Sequence, residues 1–227
     1  MGRMGRAIDA AAASHGCTIV ARLGREAAAR NADWTRALLG DADVAIDVTE
    51  PKAAIANAAR CVNAGVPVVI GTTGWYDQLP TLQQLVQTHR VPVLWAPNFS
   101  LGVQLMLALL EQAGALLQGA PGFTAHLIET HHAGKKDAPS GTAIALREAF
   151  GRGAGHEVPI TSVRTGHVPG THTLLLDAPF EQLRITHEAR DRTVFASGAL
   201  TAARWLAHSV AQERPAAVYS MRDVLGT

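Results

Sequence analysis

The densest concentration of reactive side chains in the 227-residue chain is the run Glu129-Thr130-His131-His132-Ala133-Gly134-Lys135-Lys136-Asp137-Ala138-Pro139-Ser140-Gly141-Thr142. Two of the three lysines stand here beside adjacent histidines, whereas the 17 arginines are scattered. Histidine transfers protons near neutral pH, and a compact ammonium suits a site that holds a carboxylate or polarises a nitrogen. Ser140, Gly141 and Thr142 open a helix whose free N–H groups and hydroxyls form an anion cradle. These groups together imply a small substrate with more than one carboxylate. In isolation, the same run also reads as a solvated basic loop. No metal is expected from Glu129, His131 and His132, because adjacent histidines on a strand face opposite sides and no His-Glu-x-x-His spacing occurs.

A second constellation lies at the start. Gly2-Arg3-Met4-Gly5, leading into a helix, looks like the latter part of a glycine-rich dinucleotide loop, in which backbone N–H groups and the helix dipole seat a pyrophosphate. Such a loop follows a strand, so a first strand and a first glycine are expected upstream of Met1. At the ribose-reading position, Arg22-Leu23-Gly24-Arg25 offers no acidic residue. An arginine can pair with a 2′-phosphate where Asp or Glu would accept from a 2′-hydroxyl, so the expected cofactor is NADPH or NADH with a lean to NADPH. Solvated surface arginines are the plain alternative. Gly71-Thr72-Thr73-Gly74 and Ala96-Pro97-Asn98-Phe99-Ser100 each follow an apolar run, where an open α/β sheet presents its ligand crevice. The two loops make a wall for a nicotinamide.

The elements that must carry these loops follow from periodicity and punctuation. A helix is expected over Arg3 to His15, and strands over Cys17 to Ala21, Val44 to Val48, Val66 to Ile70 and Val91 to Trp95. Helices from Pro51 to Ala64 and from Leu79 to His89 separate the last three, which is the pattern of a parallel sheet built from βαβ units. After Ser100 the pattern changes. Leu101 to Leu117 and Ser140 to Phe150 read as helices. Phe123 to Thr130, Val158 to Arg164, Thr171 to Leu176 and Gln182 to Glu188 read as strands of an antiparallel or mixed sheet. Gly151 to Gly155 reads as a flexible surface loop. Ala199 to Ala211 is a last long helix. The expected architecture is α/β: a Rossmann-like dinucleotide-binding domain of residues 1–100 and 199–227, and an α+β substrate-binding and oligomerisation domain of residues 101–198.

Composition narrows the class. With 48% apolar and 17% charged residues there is material for a core, and a net charge of +1 draws neither nucleic acid nor an anionic membrane. Leu101 to Leu117 is interrupted by Gln104, Glu111 and Gln112, so no membrane span is expected. The start lacks the pattern of a signal peptide, and Cys17 and Cys61 stand alone, which fits reduced thiols in a cytoplasmic protein.

The run from His131 to Thr142, with Gly2 to Arg6, Gly71 to Gly74, Pro97 to Ser100, Thr186-His187 to Arg192 and Ser197-Gly198-Ala199, resembles the 4-hydroxy-tetrahydrodipicolinate reductase (dihydrodipicolinate reductase) family of lysine and diaminopimelate biosynthesis. The resemblance implies a homotetrameric, two-domain oxidoreductase that reduces a cyclic unsaturated dicarboxylate to tetrahydrodipicolinate with a nicotinamide cofactor. By that resemblance His131 is the proton donor and Lys135 stabilises charge. His132, Ser140, Gly141, Thr142 and Thr73 hold the carboxylates. Gly2, Arg3, Met4, Arg25, Gly71, Thr72, Thr73, Ala96, Asn98 and Phe99 line the cofactor. Two other readings use the same scaffold: a reductase of a related cyclic imine dicarboxylate, and a non-catalytic nucleotide-binding or assembly protein.

Overall fold

A computed structural model describes residues 1–24, 34–120 and 122–226. The chain divides into two compact units, Met1–Phe99 with Thr193–Thr227, and Ser100–Arg192.

The first unit is built on a parallel sheet of β1 (Ala45–Asp47), β2 (Val68–Ile70), β3 (Val93–Trp95) and β8 (Val218–Tyr219), in that spatial order. Val68, Val69 and Ile70 are all fully buried, as expected of a strand covered on both faces. Helix α2 (Pro51–Asn63) starts with proline at its first turn, where the missing N–H costs nothing, and buries Ala54, Ile55, Ala58, Cys61 and Val62 on one face. Helices α1 (Arg3–Ala11), α3 (Leu79–His89) and α6 (Thr193–Ala211) complete the unit, with a short α7 (Met221–Leu225) opened by a Ser220–Asp223 capping box. Alanines and glycine on α6 let it lie close against the sheet and α1.

Three sequence expectations are corrected here. Residues 17–24 form no strand, because pairing makes a strand and no described neighbour pairs with them. The first helix ends at Ala11, followed by a separate tight turn at Ala13–His15 that stops at left-handed Gly16. Helix α6 begins at Thr193 rather than Ala199.

The second unit packs helices α4 (Leu101–Leu117) and α5 (Gly141–Ala154) on a mixed sheet ordered β5 (Ile160–Arg164), β4 (Thr124–His131), β6 (Thr171–Ala178), β7 (Glu181–Glu188). β5 runs parallel to β4, and β6 and β7 continue antiparallel. Gly151 to Ala154, expected as a loop, is the last turn of α5. A methyl group at Gly153 would run into the backbone of Glu111, and one at Gly114 into that of Phe150, so these glycines permit close approach of the two helices rather than flexibility. Ser100 and Ser140 cap α4 and α5, each accepting a backbone N–H three residues on.

Candidate active site

Register explains why chemistry gathers at one end of the mixed sheet. Leu127, Glu129 and His131 share the buried face of β4, since side chains alternate. Leu127 lies opposite Ile160 and Leu174, an apolar row beneath the helices. One step on, Glu129 lies opposite Ser162 and His172, and His172 opposite His187. Next comes His131, opposite Arg164. The face thus changes from hydrocarbon to polar within two residues, and the start of α5 lies over the polar end.

Glu129 is buried, 1% exposed, and fully partnered. Its Oε1 accepts from Arg164 Nη2 at 2.7 Å and from the Ser140 backbone N–H at 3.3 Å, and its Oε2 accepts from His131 Nδ1. Burial opposes its ionisation, but hydrogen bonds from Arg164, Ser162 and His131 outweigh burial and hold the carboxyl at about 2. An ionised carboxylate only accepts, so Nδ1 of His131 carries a proton and Nε2 is left for other chemistry. Burial pulls the His131 pKa below its ordinary value, opposed by Glu129 and assisted by Lys135 and Arg164. At Gly170 an added Cβ would sit 3.1 Å from Nε2, so glycine leaves this nitrogen room.

His172 packs edge-on to His131 at 5.2 Å between ring centroids and contacts the Ser140 hydroxyl through Nε2 at 3.3 Å. Burial first, then the neighbouring His131, push its pKa down to about 4. Single ligand atoms of Glu129, His131 and His172 lie within 4.8 Å of one another. A divalent cation would have to share Glu129 with the Arg164 guanidinium, so the donor set favours a hydrogen-bonded cluster.

The segment after β4 presents the remaining candidates. Lys135 Nζ donates to both oxygens of Asp137 at 2.8 and 2.9 Å, and this pairing lowers the Asp137 pKa. His132 is half-buried, with Arg192 Nη2 3.3 Å from its Nε2. Ser140 is buried with its hydroxyl committed to the helix cap and His172, so it supports the cradle rather than lining it with a free side chain. Gly141 is exposed, and nothing lies within 4 Å of the place a Cβ would occupy.

In the first unit the strand ends β1, β2 and β3 carry the other expected residues. Thr72 is buried: its hydroxyl donates to Asp47 at 2.5 Å and accepts from the Thr49 N–H at 2.8 Å, and its carbonyl accepts from Trp75 Nε1. Its side chain is thus spent on fixing the loop to Asp47 and Thr49. Thr73 is exposed and Asn98 half-buried, while Ala96 and Phe99 are buried. A Cβ at Gly71 would meet Phe99 Cε2 at 2.9 Å, so this glycine lets the two loops close together. Gly2, Arg3 and Met4 stand at the start of α1, whose first N–H groups have no side-chain cap, with Gly2 and Arg3 exposed. An uncapped helix start beside small loops at parallel strand ends fits a dinucleotide. Arg22 pairs with Asp9 at 2.6 Å, and Arg25 lies outside the described residues.

Sequence reasoning missed Arg164, His172 and Gly170 altogether, and weighed Glu129 only as a metal ligand. The spacing of Glu129 and His131, two apart on a strand, was the available signal for their shared face.

The dihydrodipicolinate reductase N-terminal model matches residues 1–99 and the C-terminal model residues 102–225. The chain is 38% identical to 4-hydroxy-tetrahydrodipicolinate reductase of Thiobacillus denitrificans, covering 99% of this chain and 95% of that protein. It is 39% identical to the reductase of the same name from Methanopyrus kandleri, over 82% of this chain and 72% of that protein. The fold matches that of a dipicolinate-bound dihydrodipicolinate reductase from Paenisporosarcina sp. TG-14 with a TM-score of 0.77 and 22% identity, covering 96% and 94% of the two chains. The chain belongs to the 4-hydroxy-tetrahydrodipicolinate reductase family.

Proposed function

We propose that this chain reduces 4-hydroxy-tetrahydrodipicolinate to tetrahydrodipicolinate with a reduced nicotinamide nucleotide. The observation that carries the reading is the buried Glu129–His131 pair beside the Lys135 segment and the open helix start at Gly141. Bound reduced nicotinamide would supply a hydride. His131 supplies the accompanying proton from Nε2, which requires the imidazolium form that the Glu129 charge stabilises. Lys135 exchanges its exposed partner Asp137 for a substrate carboxylate and offsets the negative charge that develops on the ring. His132, the Gly141 and Thr142 backbone, and Thr73 hold the carboxylates, with Ser140 fixing the helix start. Gly2, Arg3, Met4, Gly71, Thr72, Thr73, Ala96, Asn98 and Phe99 hold the nucleotide, and Arg25 reads a 2′-phosphate, so NADPH is the preferred cofactor. Arg22 is already paired with Asp9 and is the weaker candidate for that task.

The outward face of the mixed sheet, with half-buried Ile128 and Leu175 and exposed Val163, carries assembly into a homotetramer. Among the described residues no helix is long and apolar enough to cross a membrane. Both cysteines are unpaired, which suits a reducing cytoplasm.

The deciding experiment adds enzymatically generated substrate to protein and reduced cofactor. Substrate-dependent oxidation, faster with NADPH than NADH, is expected. Cofactor binding without turnover would leave the nucleotide-binding protein as the reading, and a clear NADH preference would overturn the role of Arg25.

A further inference from the structure

Arg164 ends β5 opposite His131 in the ladder, and its side chain is only 18% exposed. A guanidinium is rarely turned inward without a specific partner. Here one nitrogen, Nη2, donates to two acceptors, Glu129 Oε1 at 2.7 Å and the backbone carbonyl of Asp137 at 2.6 Å, while the buried Nε has no partner. The two acceptors belong to different halves of the machinery. Glu129 holds His131 through its other oxygen, and Asp137 holds the Lys135 ammonium through both of its carboxylate oxygens.

We propose that Arg164 is a positioning residue that sets the proton donor and the lysine segment in one geometry, its guanidinium tying the Glu129–His131 pair to the backbone that carries Lys135. The inference rests on the roles given to His131 and Lys135 above. The groups facing the pair are Ser162 and Arg164 from β5, His172 from β6, the Ser140 N–H at the start of α5, and Lys135 from the connecting segment. Arg164 and Lys135 are the fixed cations among them. Loss of the guanidinium releases the Asp137 carbonyl and removes from Glu129 the donor that keeps its carboxylate oriented. It also takes a cation away from His131, which makes the imidazolium easier to form. A side chain that merely filled space would do none of these.

The test compares Arg164→Met, Arg164→Lys and His131→Gln in the whole chain, reading kcat, KM for the dicarboxylate, the pH profile and affinity for reduced nicotinamide nucleotide. Arg164→Met is expected to lower kcat by about 10²-fold and to raise KM. It should also move the alkaline limb of kcat/KM, which reports loss of the His131 proton, to higher pH. Nucleotide affinity, a property of the other unit, should change by less than about twofold. Arg164→Lys restores a cation and is expected to return the limb towards its original position. In the His131→Gln background, Arg164→Met should cost less than about tenfold, because the donor it orients is already gone.

An Arg164→Met enzyme with wild-type kcat, or with a lowered kcat but an unmoved limb, overturns the proposal. If Arg164→Met does not fold, Arg164→Gln, which keeps an amide donor but no charge, is judged by the same criteria. A fully active His131→Gln overturns the proton-donor assignment beneath the inference. A disabled His131→Gln beside an unaffected Arg164→Met overturns the positioning role alone.

Discussion

Asp47 and Glu129 are both buried carboxylates near the C-terminal end of a parallel-paired strand, 7% and 1% exposed, yet they are satisfied in opposite ways. Asp47 accepts from neutral donors: the hydroxyls of Thr49 and Thr72 and the Asn57 amide at 2.8 Å. Glu129 accepts from Arg164 and His131, which carry or exchange charge. Neutral donors carry no charge to exchange, so Asp47 fixes the 71–74 segment through Thr72. An ionisable donor such as His131 holds a geometry and can also exchange a proton, which is what the proposed function asks of the Glu129 cluster. The difference lies in the partners, not in burial.

Kinetics test this contrast most strongly. His131→Gln is expected to lower kcat by about 10²–10⁴ with KM for the dicarboxylate nearly unchanged, as for loss of a general acid. Turnover near normal would make the Glu129 cluster as structural as the Asp47 one. Lys135→Ala should reduce both substrate affinity and turnover, by about 10–10² in kcat/KM, and unchanged steady-state kinetics would remove the lysine from the site.

Acid titration probes the Glu129 cluster through stability. His172 is held at about 4 by burial and by His131, with Glu129, His187 and Lys135 also facing it. A folded-state pKa below the unfolded value means that the unfolded chain binds more protons. Stability is therefore complete above about pH 6.5 and falls as pH drops towards 4, by up to about 3 kcal/mol. Glu129, held at about 2, contributes a further loss only below its unfolded value. Denaturant unfolding between pH 7 and 4 should show this slope, and His172→Asn should flatten it. Asp47→Ala should leave the pH–rate profile unmoved. Its expected cost is about 1–3 kcal/mol from stranded buried donors, with a raised KM for the nucleotide, read by thermal unfolding and initial rates. If Asp47→Ala instead shifted the alkaline limb of the rate profile, the two clusters would not be independent.

Much of this was legible in the chain. The helices Leu79–His89 and Leu101–Leu117 have the bounds that their periodicity predicts, because their caps and apolar stripes are local. The loops at 71–74 and 96–99 fall at strand ends for the same reason. The strand expected at Cys17 to Ala21 does not form, since local propensity cannot supply a pairing partner. The glycines of Gly151 to Gly155 read as a loop because nothing local announces that Gly153 and Gly114 let two helices touch.

The site divides along the same line. Residue types and spacing mark His131, Lys135 and the helix start at Ser140 as candidates, because those groups lie within fourteen consecutive residues. The remaining partners come from strands far apart in sequence. Arg164 faces His131, and His172 faces Glu129, only through the register of β5 and β6 on β4. Which hydroxyl is spent on a cap, as at Ser140, or on a buried acid, as at Thr72, depends on burial and hydrogen-bond competition that no linear pattern encodes. The chain sets which chemistry is on hand; strand register sets which atoms meet, since each one-residue step turns a side chain to the other face of the sheet.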